Sequence, residues 1–128
     1  MTVDGYSVRA YDGPTPQGGV WNELPCPLLI HNVRPDVLGV AADGRIAIGE
    51  AKTADDLCSV HTRQQLSILR SVVEYQRQPT IKLYLAIPRS ACRALDRALV
   101  KVGLIGNRHV VRLHVPDCLV SREHHELA

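Results

Sequence analysis

The sequence predicts a mixed α/β domain with the element order β-β-β-α-β-α-β, and three observations lead there. Apolar runs of strand length crowd residues 27–53. An Asp43-Gly44 pair separates two of these runs, as the turn of a β-hairpin does. Beyond Thr53, strand-like runs alternate with segments of helical period, the pattern of a sheet with helices packed on it.

Residues 1–25 carry Gly5, Gly13, Pro14, Pro16, Gly18, Gly19 and Pro25, and read as an irregular lead-in with a short helical turn near Trp21 to Leu24. Pro27 to Val33 (PLLIHNV), Asp36 to Ala42 (DVLGVAA) and Arg45 to Thr53 (RIAIGEAKT) then read as three strands in a meander. Asp55 or Asp56 can cap a helix in which Leu66, Leu69, Val72, Val73 and Gln76 fall at helical spacing, so the helix is expected to run to about Arg77, before Pro79. Thr80 to Ile87 (TIKLYLAI), β-branched and aromatic between two prolines, reads as a central strand. Ser90 to Val102 is a second amphipathic helix closed by Gly103, and His109 to Val115 (HVVRLHV) is the last strand before Pro116. No repeat or linker divides the chain, so residues 1–128 are read as one domain built on a single mixed central sheet.

Composition sets the outer limits. A chain of 128 residues, 45% hydrophobic and 22% charged, can bury a core of its own and is neither disordered nor coiled-coil in character. Cys26, Cys58, Cys92 and Cys118 form no CxxC or CxH pair, which argues against zinc and redox dithiol sites and for buried reduced thiols. Neither a signal peptide nor a membrane-length apolar run is visible, so a cytoplasmic protein without membrane contact is expected. The formal net charge of +2 is too small to indicate a nucleic-acid partner by itself, so any basic surface must be local.

The third strand carries the chemistry. Ile46, Ile48, Glu50 and Lys52 share one face, while Ala47, Gly49 and Ala51 share the other. A strand apolar on both faces should not run into a carboxylate and an ammonium on its core side, because burying an unpaired charge costs several kcal/mol. The hairpin supplies a partner. A two-residue turn at Asp43-Gly44 would set Asp36 opposite Ala51, and a three-residue loop would set it opposite Glu50. Either register puts both carboxylates at the same sheet end. Carboxylates about 5 Å apart raise each other's pKa unless a cation lies between them, and a hard divalent ion suits such oxygen ligands. Mg²⁺ or Mn²⁺ is the expected cofactor, with Lys52 one pleat along and able to reach a scissile phosphate. The competing reading of Glu50 and Lys52 is a surface ion pair, worth about 0 to 1 kcal/mol.

Pro35-Asp36, thirteen intervening residues and Glu50-Ala51-Lys52 resemble the motif of the PD-(D/E)XK nuclease superfamily. The likeness covers roughly residues 23–115 and includes the order of elements. It implies a restriction-endonuclease-like core and a metal-dependent nuclease that hydrolyses phosphodiester bonds, most naturally in DNA. By this resemblance Asp36 and Glu50 would be metal ligands together with the Ala51 carbonyl, Lys52 would be the catalytic lysine, and Gln65, with Gln64 as second choice, would be the helix-borne glutamine seen in many members. Glu23 matches a glutamate found on the first core helix of some members, although Pro25 and Pro27 leave little helix to hold it.

Further residues stand beside these. His61 could contact a phosphate or assist proton transfer, with a capping or surface histidine as the plainer reading. His31 is expected to be a core histidine, and His124 and His125 are given no role. Arg89, Arg93, Arg97 and Lys101 recur every four residues and Arg63, Arg70 and Arg77 every seven, as stripes that either track a phosphate backbone or lie on solvated helix faces. Arg63, Arg70, Arg89 and Arg93 are accordingly the nucleic-acid-binding candidates. A chain this short is expected to form a homodimer or to take its specificity from a partner protein. The alternative function is a non-catalytic nucleic-acid-binding or structural module on the same fold.

Overall fold

The computed structural model describes residues 4–11, 25, 33–74 and 81–116. Among them five strands form one sheet in the order β1-β2-β3-β4-β5: β1 Tyr6–Tyr11, β2 Val37–Ala41, β3 Ile46–Ala51, β4 Ile81–Pro88 and β5 Val110–Val115. The first three pair antiparallel, and β3-β4 and β4-β5 pair parallel. Each parallel pair is joined by helix: α1 Ala54–Leu57 and α2 Val60–Glu74 before β4, then a 3₁₀ turn Arg89–Ala91 and α3 Cys92–Val102 before β5. The mixed α/β sheet expected from the sequence is therefore present.

Its meander differs from the expected one in a single member. The first strand is Tyr6–Tyr11, inside what reads as an irregular lead-in, and it pairs with β2. Arg9 is an extra residue in that pairing, because Val8 faces Gly39 and Ala10 faces Leu38. Such a bulge breaks the alternation of inward and outward side chains, so the segment lacks a clean period of two. Of the strand expected over Pro27 to Val33, residues 27–32 lie outside the described residues, and Val33 forms only an isolated bridge. The helical turn expected near Trp21 to Leu24 also lies outside them.

The long helix expected after Thr53 is two helices. Thr53 Oγ1 accepts from the Asp56 amide (3.2 Å), and Asp56 Oδ2 accepts from the Thr53 amide (2.9 Å), a capping box that starts α1 two residues after β3 ends. Ser59 interrupts the helical run; its hydroxyl donates to the Asp56 carbonyl and accepts from the Thr62 amide, so it closes α1 and opens α2. Gly103, at φ +78°, ends α3 in the left-handed conformation expected of a C-terminal glycine.

Two crossovers in the same direction put the helices on one face of the sheet. Ile48, Leu83, Leu85 and Ile87 there meet Leu66, Leu69 and Val73 of α2 and Leu95, Leu99 and Val102 of α3 in the main core. The opposite face holds a smaller cluster of Tyr6, Ala41, Ala47 and Tyr84. Tyr84 meets Tyr6 edge to face, with ring centroids 6.1 Å apart, and its hydroxyl donates to Asp4 Oδ2 (2.6 Å). Burial and the neighbouring Asp4 carboxylate both push the Tyr84 phenol above its ordinary range. Cys58 is exposed and Cys92 half-buried, which corrects the expectation of buried thiols for those two, while Cys26 and Cys118 lie outside the described residues. No described helix is long and apolar enough to cross a membrane.

The β2-β3 hairpin sets the register on which the site depends. Gly39 faces Ala47 and Val40 faces Ile46, and the Ala41 amide donates to the Arg45 carbonyl (2.9 Å), so Ala42, Asp43 and Gly44 form a three-residue loop. Gly44 sits at φ +90°, where a Cβ would meet nothing within 4 Å, so any cost of substitution is conformational. Gly44→Ala should destabilise the fold by about 1–2 kcal/mol and Gly44→Asn by less, measured by urea unfolding. Equal stability of all three proteins would show that the loop does not depend on that backbone conformation.

Candidate active site

The three-residue loop settles which residue faces Asp36. Val37 is paired with Gly49, and the next step along the same ladder puts Asp36 opposite Glu50. Pro35, with no amide hydrogen, cannot extend the ladder. Asp36 ends it in two ways: its amide donates to the Gly49 carbonyl (3.1 Å), and its Oδ2 accepts from the Ala51 amide (2.8 Å). The aspartate side chain thus stands where a backbone carbonyl would otherwise complete the pairing, and Asp36 and Glu50 share the helix-covered face.

Glu50 is only 3% exposed, and its Oε1 has no hydrogen-bond partner. Lack of hydration pushes its carboxyl up to about 8, the facing Asp36 carboxylate pushes in the same direction, and the Lys52 ammonium opposes both. The lysine does not neutralise it by close contact, since Nζ lies 4.0 Å from Glu50 Oε2. A buried carboxyl with an orphan oxygen beside a second carboxylate is an unfavourable arrangement for two anions alone, and it is a donor set suited to a hard cation.

Three elements hold Lys52. Its amide donates to the Ala86 carbonyl of β4 (3.0 Å), which continues the parallel pairing one residue past β3. The capping box at Thr53 turns the chain immediately afterwards. Its Nζ donates to Gln65 Oε1 at 2.5 Å, and Gln65, on the inner side of α2, is 8% exposed. The alternative Gln64 is exposed. The structure therefore brings Asp36, Glu50, Lys52 and Gln65 together at the end of β3, with Ala51 between the two charged residues of the strand.

The remaining candidates are not drawn in. His61 lies one turn before Gln65 on α2, exposed, and its side chain forms no hydrogen bond or ion pair among the described residues. Arg70 is engaged by Glu74 four residues on (3.0 Å), while Arg63, Arg89 and Arg93 are exposed. Glu23, His31, His124 and His125 lie outside the described residues, as does Arg77. No group of three or more His, Cys, Asp or Glu side chains is gathered as a metal site among the described residues, so a cation here would rest on the two carboxylates and on backbone or solvent oxygens.

Sequence reading did not anticipate the neighbourhood of β5. Lys52, Ile87 and His114 stand in one row across β3, β4 and β5, and His114 Nε2 lies 2.9 Å from Cys92 Sγ. Nothing in the spacing of Cys92 and His114 along the chain marks them as neighbours, because only the parallel β4-β5 register brings them together.

Burial of Glu50 has a measurable consequence in metal-free protein. Its folded value of about 8 lies above its ordinary 4.5, so between these limits the native state keeps a proton that the unfolded chain has released. The stability contributed by this group is full below pH 4.5 and is lost as pH rises through 8, on the order of a few kcal/mol. In chelator, Glu50→Gln should flatten that decline and exceed the parent protein in stability at alkaline pH, as read by thermal unfolding across pH. A parent protein that gained stability with pH over the same range would contradict the burial of this carboxyl. No protein-family model matches the chain, and neither a curated protein nor a solved structure matches it.

Proposed function

We propose that this protein is a metal-dependent nuclease of the PD-(D/E)XK type, with a restriction-endonuclease-like core, that hydrolyses phosphodiester bonds in DNA. One observation carries the reading: the buried, incompletely hydrogen-bonded Glu50 carboxyl stands opposite Asp36 and beside an ammonium held by Gln65. A structural ion pair would not need the second carboxylate or leave Oε1 without a partner. The pair of acids fits Mg²⁺ or Mn²⁺, held by Asp36, Glu50 and the Ala51 carbonyl. When bound, the ion supplies an activated water and neutralises charge on the phosphate.

The chain's own groups have separable tasks. Asp36 is anchored by the Ala51 amide, so its carboxylate keeps one orientation without substrate. Gln65 takes one of the three donor directions of Lys52 and holds the ammonium at the sheet end, leaving the others for a phosphate oxygen. A positive charge positioned before substrate arrives stabilises the extra negative charge of the transition state without reorganising. Burial of Glu50 keeps water from competing for the acidic oxygens. Specificity is assigned to a homodimer partner or to a second protein. The cell compartment proposed for this activity is the cytoplasm.

The test is incubation of the full chain with plasmid, linear, nicked and branched DNA in Mg²⁺ or Mn²⁺. Cleavage is expected, with a loss of about 10²-fold or more in Lys52→Ala while its thermal unfolding is preserved. Calorimetric Mn²⁺ binding is expected to vanish in Asp36→Ala. DNA binding without cleavage of any substrate would replace the enzyme by a non-catalytic nucleic-acid-binding module on the same fold, and absence of Mn²⁺ binding would remove the metal site.

A further inference from the structure

Three cations converge on a cleft that the carboxylate site does not use. Its volume is about 110 Å³, and its lining includes Arg63 of α2, Arg97 and Lys101 of α3, and the apolar side chains of Leu57, Ala94 and Ala98. Arg97 and Lys101 are four residues apart, adjacent turns of one helix face, where like charges repel. Arg63 adds a third positive charge from the facing helix. No carboxylate is in the lining, and none of the three cations makes an ion pair among the described residues.

Arg89 and Arg93 also make no ion pair among the described residues but do not line the cleft, and three other arginines are neutralised. Arg45 is paired with Asp43, Arg70 with Glu74, and Arg112 with Asp96, the one acid of α3. Asp96 is adjacent to Arg97 in sequence, yet its carboxylate is engaged by β5, so the cleft keeps its excess of positive charge. A concave surface with apolar walls concentrates that field at its mouth. Two guanidinium groups present paired, planar donors that match the oxygens of a phosphate, and the lysine adds a compact charge.

We propose that this cleft is a binding site for closely spaced phosphate charges, contributed either by a free phosphorylated small molecule or by successive phosphodiesters of a polynucleotide backbone. It is separate from the Lys52 site. Arg63 and Gln65 are two residues apart on α2, which turns them about 200° from one another around the helix axis. Of the series Arg89, Arg93, Arg97 and Lys101, the last two members line the cleft together with Arg63, and Arg89 and Arg93 do not.

Calorimetry of inorganic pyrophosphate binding to the full chain, in metal-free buffer of low ionic strength, tests this. Saturable binding is expected, weakened at least about tenfold in R97Q/K101Q and unchanged in Lys52→Ala and in Arg93→Gln. All of these side chains except Lys52 are exposed, so the glutamine variants should keep the fold, and thermal unfolding checks that they do. Absence of saturable binding, undiminished binding in R97Q/K101Q, or equal weakening in Arg93→Gln would overturn the proposal. Displacement of pyrophosphate by a short DNA duplex would identify the polynucleotide backbone as the source, and its retention would identify a free phosphorylated ligand. Because Lys52→Ala spares this cleft, loss of nuclease activity and loss of phosphate binding are separate results.

Discussion

The opposition of Asp36 and Glu50 across the β2-β3 ladder is the constraint around which the rest of the molecule is arranged. It follows from the three-residue loop, since a loop one residue shorter would set Asp36 against Ala51, whose side chain lies on the other face of the sheet. The main-chain freedom of Gly44 therefore reaches, through the register of a single hairpin, to the charge state of a carboxyl at the far end of the ladder. Two acids meet beneath the helices because a turn fixes the count of residues between them.

Once those acids are in place, the elements around them act as supports. Parallel pairing with β4 carries Lys52 one step past the end of β3, and the Thr53-Asp56 capping box bends the chain before a longer strand could lift the lysine away. Gln65 can reach the ammonium because Leu66, Leu69 and Val73 seat α2 on Ile48, Leu83 and Leu85. Core packing thus sets the position of the polar contact. The energetics run in opposite directions along β3: Ile48 contributes to the core, while Glu50, two residues later on the same face, is left with an unsatisfied oxygen. Proteins accept such a local cost where the geometry serves binding or chemistry.

How much of this could be read in advance depends on the range over which each signal acts. β3 was legible because it follows the Asp43-Gly44 turn, β4 because a β-branched and aromatic run stands between two prolines, and α3 because its apolar period ends at Gly103. The two faces of β3 were legible from alternation alone, and so was the convergence of Asp36, Glu50 and Lys52, which needs only one hairpin. β1 was not. Its six residues carry a bulge that interrupts the alternation, and its pairing with β2 spans a long stretch of chain rich in Gly and Pro. The break between α1 and α2 was missed for a local reason: Ser59 has a hydroxyl that serves two backbone groups, and periodicity alone does not register a side chain that competes with the helix for hydrogen bonds.

Net charge was the least informative quantity, and the fold shows why. A formal value of +2 counts acids that the structure has already committed: Asp43, Glu74 and Asp96 to arginines, Asp56 to the α1 cap, and Asp36 and Glu50 to the interior end of the sheet. What remains on the outer side of the helices is the positive remainder, gathered at Arg63, Arg97 and Lys101. Acids and bases that pair with one another cancel locally, while the three cations of the cleft do not, and the sum over the chain conceals that difference. A phosphate group would be attracted to the outer cations directly. At the inner site it would meet the Asp36 carboxylate, a Glu50 carboxyl that holds its proton up to a pH of about 8, and one ammonium, so the charges there nearly cancel. The cleft and the end of β3 therefore differ in electrostatic character: at one, three cations with no ion pair among the described residues, and at the other a single ammonium set among two acidic side chains.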